Sequence, residues 1–179
     1  MNTCLPCPRL AVLTTAALLS GTPAMAQSTS ISTEYLMTVY LPKEPSLAVD
    51  SGFVISRDSA GGWVRGKVSG RILEPSADWV RRIPSDALRR QLDARVTIET
   101  DEHEIIYMSY SGRMHCDRQA AGRFRNREAL KADDCYLISA PTFQTKSEKY
   151  SWLNDVVAIG KMVEYQLEGH LIYDLFVVK

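Results

Sequence analysis

The stretch Leu92–Gly112, LDARVTIETDEHEIIYMSYSG, decides how the chain is read. Leu92, Ala94, Val96 and Ile98 alternate with Asp93, Arg95, Thr97 and Glu99. Strand side chains point to opposite faces with period two, so one strand presents an apolar stripe and a titratable stripe. Asp101-Glu102-His103-Glu104 is an all-polar hairpin tip. The second strand alternates Ile105, Tyr107 and Ser109 with Ile106, Met108 and Tyr110. Two arrangements are open for Asp93, Arg95 and Glu99. They face a lumen as a paired acid/base cluster, or they form a salt-bridged face in water.

Outward from this hairpin the chain is rich in strands. Thr33 to Leu41 and Phe53 to Ser56 are β-rich. Trp63 to Leu73 alternates as one strand, with Gly66 and Gly70 in its apolar stripe, as at a sharp bend or a close backbone approach. Glu74-Pro75-Ser76 reads as a turn before Ala77-Asp78-Trp79-Val80, and Pro84 to Arg90 as a basic connection with one helical turn. Asp117 to Ala132 is the one good helical window, with Asp117 and Asn126 as N-cap candidates. Tyr136 to Thr145 carries Pro141, which suits an edge or a bulge. Val156 to Tyr165 and Leu171 to Val178 form a last hairpin around Leu167-Glu168-Gly169-His170. Many short strands and one helix indicate an all-β fold: a single antiparallel barrel or sandwich with one short surface helical insert.

The first 26 residues have the layout of a secretory signal peptide. Arg9 precedes the apolar run Leu10–Leu19, and Ala24-Met25-Ala26 is an A-x-A cleavage site. The run is too short to span a bilayer. Export to a periplasm or beyond the cell is therefore expected. Residues 27–32 form a polar, flexible leader and residues 33–179 one β-barrel domain. Apart from Arg9 the removed segment is uncharged, so 21 basic and 21 acidic residues leave a near-neutral mature chain. That balance gives no electrostatic case for nucleic acid, and no later run is long enough for membrane insertion. It is compatible with a homodimer. Of four cysteines, only Cys116 and Cys135 lie outside the expected signal peptide. An exported compartment permits a bridge between them, which would pin the helical insert; two free, buried thiols are the alternative.

Three scattered histidines and two mature cysteines argue against a metal site. No G-x-S-x-G, P-loop or dinucleotide fingerprint occurs, so no cofactor is expected. The segments that remain are ADW (77–79), LDARVTIET (92–100), IIYMSYSG (105–112) and APTFQTKSEKYSWLN (140–154). In order and wording they resemble the domain of unknown function 3237 family, from about Thr33 to the C-terminus. The chain departs from that pattern at Glu74-Pro75-Ser76, where glycines precede A-D-W, at Val96 for a tyrosine and at Gln144 for a glutamate. The resemblance implies a calycin-like (lipocalin-like) antiparallel barrel around a cavity, and no particular activity.

In such a barrel, Asp93 or Asp78 would be a general base, Arg95 would orient a substrate oxyanion and Tyr107 would donate a proton. Trp79, Glu99, Trp152 and Asn154 would line the ligand site. The expected ligand is a small hydrophobic or aromatic molecule of polyketide-like character. The expected chemistry is a cofactor-independent lyase, dehydratase or isomerase step. The alternatives are a carrier with no turnover and a structural barrel filled by its own side chains.

Overall fold

The structure is a computed structural model that describes Met1, residues 30–85 and residues 87–179. The expected signal peptide and the start of the leader lie outside the described residues. The chain forms β1 (Thr33–Pro42), β2 (Leu47–Ala48), β3 (Phe53–Arg57), β4 (Trp63–Gly66), β5 (Gly70–Arg82), β6 (Leu88–Thr100) and β7 (Ile105–Cys116). Helix α1 (Arg118–Arg125), β8 (Leu130–Lys131) and β9 (Cys135–Thr145) follow. A 3-10 helix (Ser151–Asp155) leads into the last hairpin, β10 (Ala158–Gln166) and β11 (His170–Val178).

Eight strands close on themselves in the order β5-β4-β1-β11-β10-β9-β7-β6, and the β5–β6 pairing completes the ring. Every pairing in the ring is antiparallel. Strand β3 continues the wall where β4 stops, pairing with the C-terminal half of β5. Closure leaves each ring strand one face for the lumen. Leu92, Ala94, Val96 and Ile98 of β6 take the lumen with Ile106, Met108 and Tyr110 of β7 and Leu171, Tyr173, Leu175 and Val177 of β11.

The stretch 63–73 is not the single strand its alternation suggests. It breaks after Gly66, where φ is +153° and a side chain would run into the Leu36 and Met37 backbone. Gly70 then presses against the Glu99–Thr100 backbone with no room for a Cβ. Pro75 does not make a turn. Glu74-Pro75-Ser76 lies inside β5, where the register with β6 shifts between Leu73 and Ala77. Among the described residues of 84–90 there is no helical turn, and β6 already begins at Leu88.

The helix is real but half the expected length. Asp117 caps it by accepting the Ala120 N–H at 2.8 Å. Asn126 closes its C-terminus rather than opening a helix, and Arg127 follows at a positive φ of 62°. Phe124 is its buried anchor, edge-on to Tyr165 with ring centroids 4.8 Å apart. Cys116 and Cys135 face each other at the end of the β7–β9 ladder and are bridged, with Cα atoms 4.5 Å apart. The bridge closes the loop that carries α1. Replacing both cysteines with serine should lower the unfolding free energy by about 3 kcal/mol, the scale for a loop of this length. Urea denaturation measures this, and an unchanged midpoint would show that the strands hold the insert unaided.

Candidate functional site

The stripe Asp93, Arg95, Glu99 lies on the outside of the barrel. Closure commits the alternate residues, all apolar, to the lumen, so the charged set must face out. The lumenal arrangement of these residues is thereby overturned. Asp93 pairs with Arg95, and that bond holds Arg95 above the ordinary guanidinium range. Arg95 also lies over the outward ring of Trp79 at 5.2 Å. His103 and Arg71 hold Glu99 below its ordinary range. Tyr107 is 36% exposed and, with Asn154, lines a shallow outer groove of about 510 Å³. The Asn154 side chain is occupied structurally. It accepts the Thr145 N–H at 2.9 Å and donates to the Thr145 carbonyl at 3.0 Å. Trp152 is 37% exposed on the 3-10 helix. The predicted residues therefore do not converge on one cavity.

Asp78 alone among them is inside. It is 5% exposed and faces the lumen between Ser76 and Val80. The register aligns Ser56, Asp78, Ala94, Tyr110 and Pro141 across five adjacent strands. Ala94 is the smallest side chain in that row and stands between Asp78 and Tyr110 in the register. The β5–β6 ladder skips the Trp79 and Val80 positions beside Asp78. There the Asp93 N–H donates instead to Asp78 Oδ1 at 2.9 Å. Asp93 thus serves the site through its main chain, not its carboxylate.

Around Asp78 the lumen is polar. Lys43, one residue beyond β1, forms a buried ion pair with Asp58, one residue beyond β3. The Ser76 hydroxyl donates to the other Asp58 oxygen at 2.5 Å. Burial alone would pull the Lys43 ammonium down, but Asp58 and the Tyr165 phenol outweigh it and the net shift is upward. Tyr110 and Tyr173 meet edge-on with centroids 5.9 Å apart. Burial raises both phenols well above their ordinary range, so both stay protonated donors. The Tyr173 hydroxyl faces Tyr110 but makes no hydrogen bond of normal geometry. Burial pushes Asp78 up to about 6, although Lys43 and the Asp93 N–H pull the other way. Among the described residues no group of three metal-ligating side chains occurs.

A cleft of about 470 Å³ opens beside α1, lined on one side by Phe124 and Arg125 and on the other by the β5–β6 connection. Arg90 belongs to both places. Its guanidinium lies over the Phe124 ring at 5.0 Å, within electrostatic reach of Asp78 and Tyr165. Burial and Arg82 pull it below the usual guanidinium range. Lys43, Asp58, Ser76, Arg90, Tyr110 and Tyr173 were not candidates in the sequence. The signal for the tyrosines was parity: Tyr110 shares its face with Ile106 and Met108, and Tyr173 with Leu171 and Leu175. Lys43 and Asp58 lie among prolines, glycines and serines that read as loops.

Residues 31–178 match the family described as protein of unknown function (DUF3237). A UPF0311 protein of Bradyrhizobium diazoefficiens is 26% identical over 105 residues, 59% of this chain and 68% of its own length. A protein of unknown function from Rhodopseudomonas palustris has the same fold, with a TM-score of 0.77 and 21% identity over 85% of this chain and 99% of its own. A β-barrel-like protein from Acinetobacter baumannii gives 0.67 at 28% identity, covering 86% of this chain and 99% of its own. The structure of an enzyme from Penicillium herquei gives 0.62 at 21% identity over 86% and 98%.

The Asp78 environment makes stability pH-dependent. The carboxyl titrates near 3.8 when unfolded and about 6 when folded, so the unfolded chain loses its proton first. Stability therefore falls as pH rises from about 4 to about 6 and levels off above, by about 3 kcal/mol in all. Asp78→Asn removes this dependence and keeps an oxygen for the Asp93 N–H. Relative to the native chain, the variant should gain stability between pH 4 and pH 8 in urea denaturation. A difference that does not change with pH would mean that Asp78 ionises normally.

Proposed function

We propose that this chain, which belongs to the DUF3237 family, is an exported barrel that binds a small organic molecule at its α1 mouth and moves a proton on it without a cofactor. The observation that carries this reading is the convergence of Asp78, Tyr110, Tyr173 and the Lys43–Asp58 pair at one polar end of the lumen, beside an open cleft. A core selected only for stability gains little from such groups. Each buried polar group costs free energy unless it is bonded, and an orphaned hydroxyl costs about 1–3 kcal/mol. The Tyr173 hydroxyl is such an orphan, and a substrate oxygen would satisfy it.

The roles follow from the chemistry of each group. A carboxyl that titrates near neutrality is matched to taking and returning a proton at physiological pH. Asp78 is that group, and its fixed bond to the Asp93 N–H holds its orientation. Tyr110 and Tyr173 stay protonated and donate to a developing oxyanion or enolate. The Lys43–Asp58 pair sets the local field and fixes the wall. Proton abstraction beside a carbonyl, with reprotonation or loss of water, is the reaction class these parts serve. The enzyme from Penicillium herquei carries the same fold and supports the reading at that level only. The cross-strand disulfide fits an oxidising compartment, as export requires.

Exchange of substrate hydrogen for deuterium tests this whatever the eventual product. The protein is incubated in heavy water with a pooled panel of aromatic and polyketide-like carbonyl compounds, and masses are read before and after. A compound that gains deuterium with the native chain should gain it at least about a hundredfold more slowly with Asp78→Asn. A compound that is retained by the protein but never labelled would favour the carrier reading.

A further inference from the structure

The described lining of the mouth cleft is strongly cationic. Arg82, Arg89, Arg90 and Arg125 line it, and the described lining contains no acid. Asp86, between two lining residues in the chain, would still leave an excess of positive charge. Elsewhere Arg57, Arg71, Arg95, Arg123 and Arg127 each pair with a carboxylate, while Arg65 and Arg81 lie over aromatic rings and Arg113 donates to the Gly112 carbonyl. None of the four cleft arginines has an ion-pair partner among the described residues. Arg82 and Arg90 repel each other closely enough to lower Arg90 further. The Arg90 Nε is buried and has no hydrogen-bond acceptor. Arg125 has one structural reason for its place, the negative end of α1, but the other three sit on strand ends where no helix dipole asks for a cation. Beside the arginines, Ile83, Leu88 and Leu167 supply apolar surface.

We propose that the molecule taken at this mouth is an organic anion, a carboxylate on a planar apolar body, with the arginines holding the charged group and the body reaching toward the barrel interior. Guanidinium groups match carboxylates in planarity and donor geometry and are weakly hydrated, so they bind such groups at low desolvation cost. Clustered like charges on low-dielectric walls also focus the field and speed capture of an anion. The inference deepens the proton-transfer reading, since it names the substrate class of that site, but it is tested by binding alone.

The probe is cinnamate, compared with cinnamamide, its neutral counterpart of nearly the same shape, by calorimetric titration of the full chain at low ionic strength. Cinnamate should bind at least about tenfold more tightly, and the preference should shrink at high salt. Arg89 and Arg125 are exposed, so the double variant Arg89→Gln/Arg125→Gln should fold as the native chain does, which its urea midpoint checks. It should bring the two affinities within about twofold. Equal affinities for the native chain, no measurable cinnamate binding, or a preference that survives in the double variant would each overturn the proposal. Asp78→Asn should keep the preference. Normal deuterium exchange in that variant would therefore refute the acid/base reading without touching the anion preference.

Discussion

The buried Lys43–Asp58 ion pair is the contact on which this end of the barrel depends. A closed sheet shields an inward charge from bulk water, and an opposite charge inside offsets the cost. Lys43 and Asp58 do so across the seam where β1 and β3 meet, and Ser76 joins them from the irregular stretch of β5. Removing either partner would strand a charge at a cost on the order of 3–5 kcal/mol. The pair therefore fixes three wall segments. It also sets the field in which Asp78, Tyr110 and Tyr173 sit. One end of the lumen is thus a specified polar chamber, and the other is ordinary packing of Leu36, Val96, Ile98, Phe143 and Leu175.

The two faces of β6 show how one strand serves two ends. Its inward row supplies bulk except at Ala94, the small residue paired with Asp78. Its outward row supplies ion pairs that solvate the wall. Asp93 belongs to the outer row by side chain and to the inner site by main chain. The skipped ladder position that allows this would be a plain defect if nothing used it; the Asp78 carboxyl uses it.

Much of the fold was legible from alternation alone. The strands from Thr33, Phe53, Leu92, Ile105, Tyr136 and Leu171 fall near their expected bounds, as do the two hairpin tips. The breaks were less visible. Gly66 splits one apparent strand in two, and Pro75 is absorbed into a long strand where the register shifts, because tertiary pairing outweighs local turn preference. Of the residues singled out in the sequence, Asp78 alone faces the lumen. Period-two alternation shows that two faces differ, but closure decides which is inside, and closure is a non-local property. Charge marked Asp93, Arg95 and Glu99 as the interesting face, whereas the lumen took the apolar one. The groups that do converge, Lys43, Asp58, Arg90, Tyr110 and Tyr173, come from five separate parts of the chain, and no local spacing relates them.

Asp78 occupies a polar chamber that holds its carboxyl poised near neutrality. A carbon-detected magnetic resonance titration of the Asp78 side-chain carboxyl reads this directly. The account requires a midpoint at about 6, against an ordinary value of 3.8. Ala94→Val, which adds bulk at the residue paired with both Asp78 and Tyr110, should move that midpoint. A native midpoint at or below the ordinary value would contradict the account, because Asp78 would then be a structural anion that only holds the strand beside it.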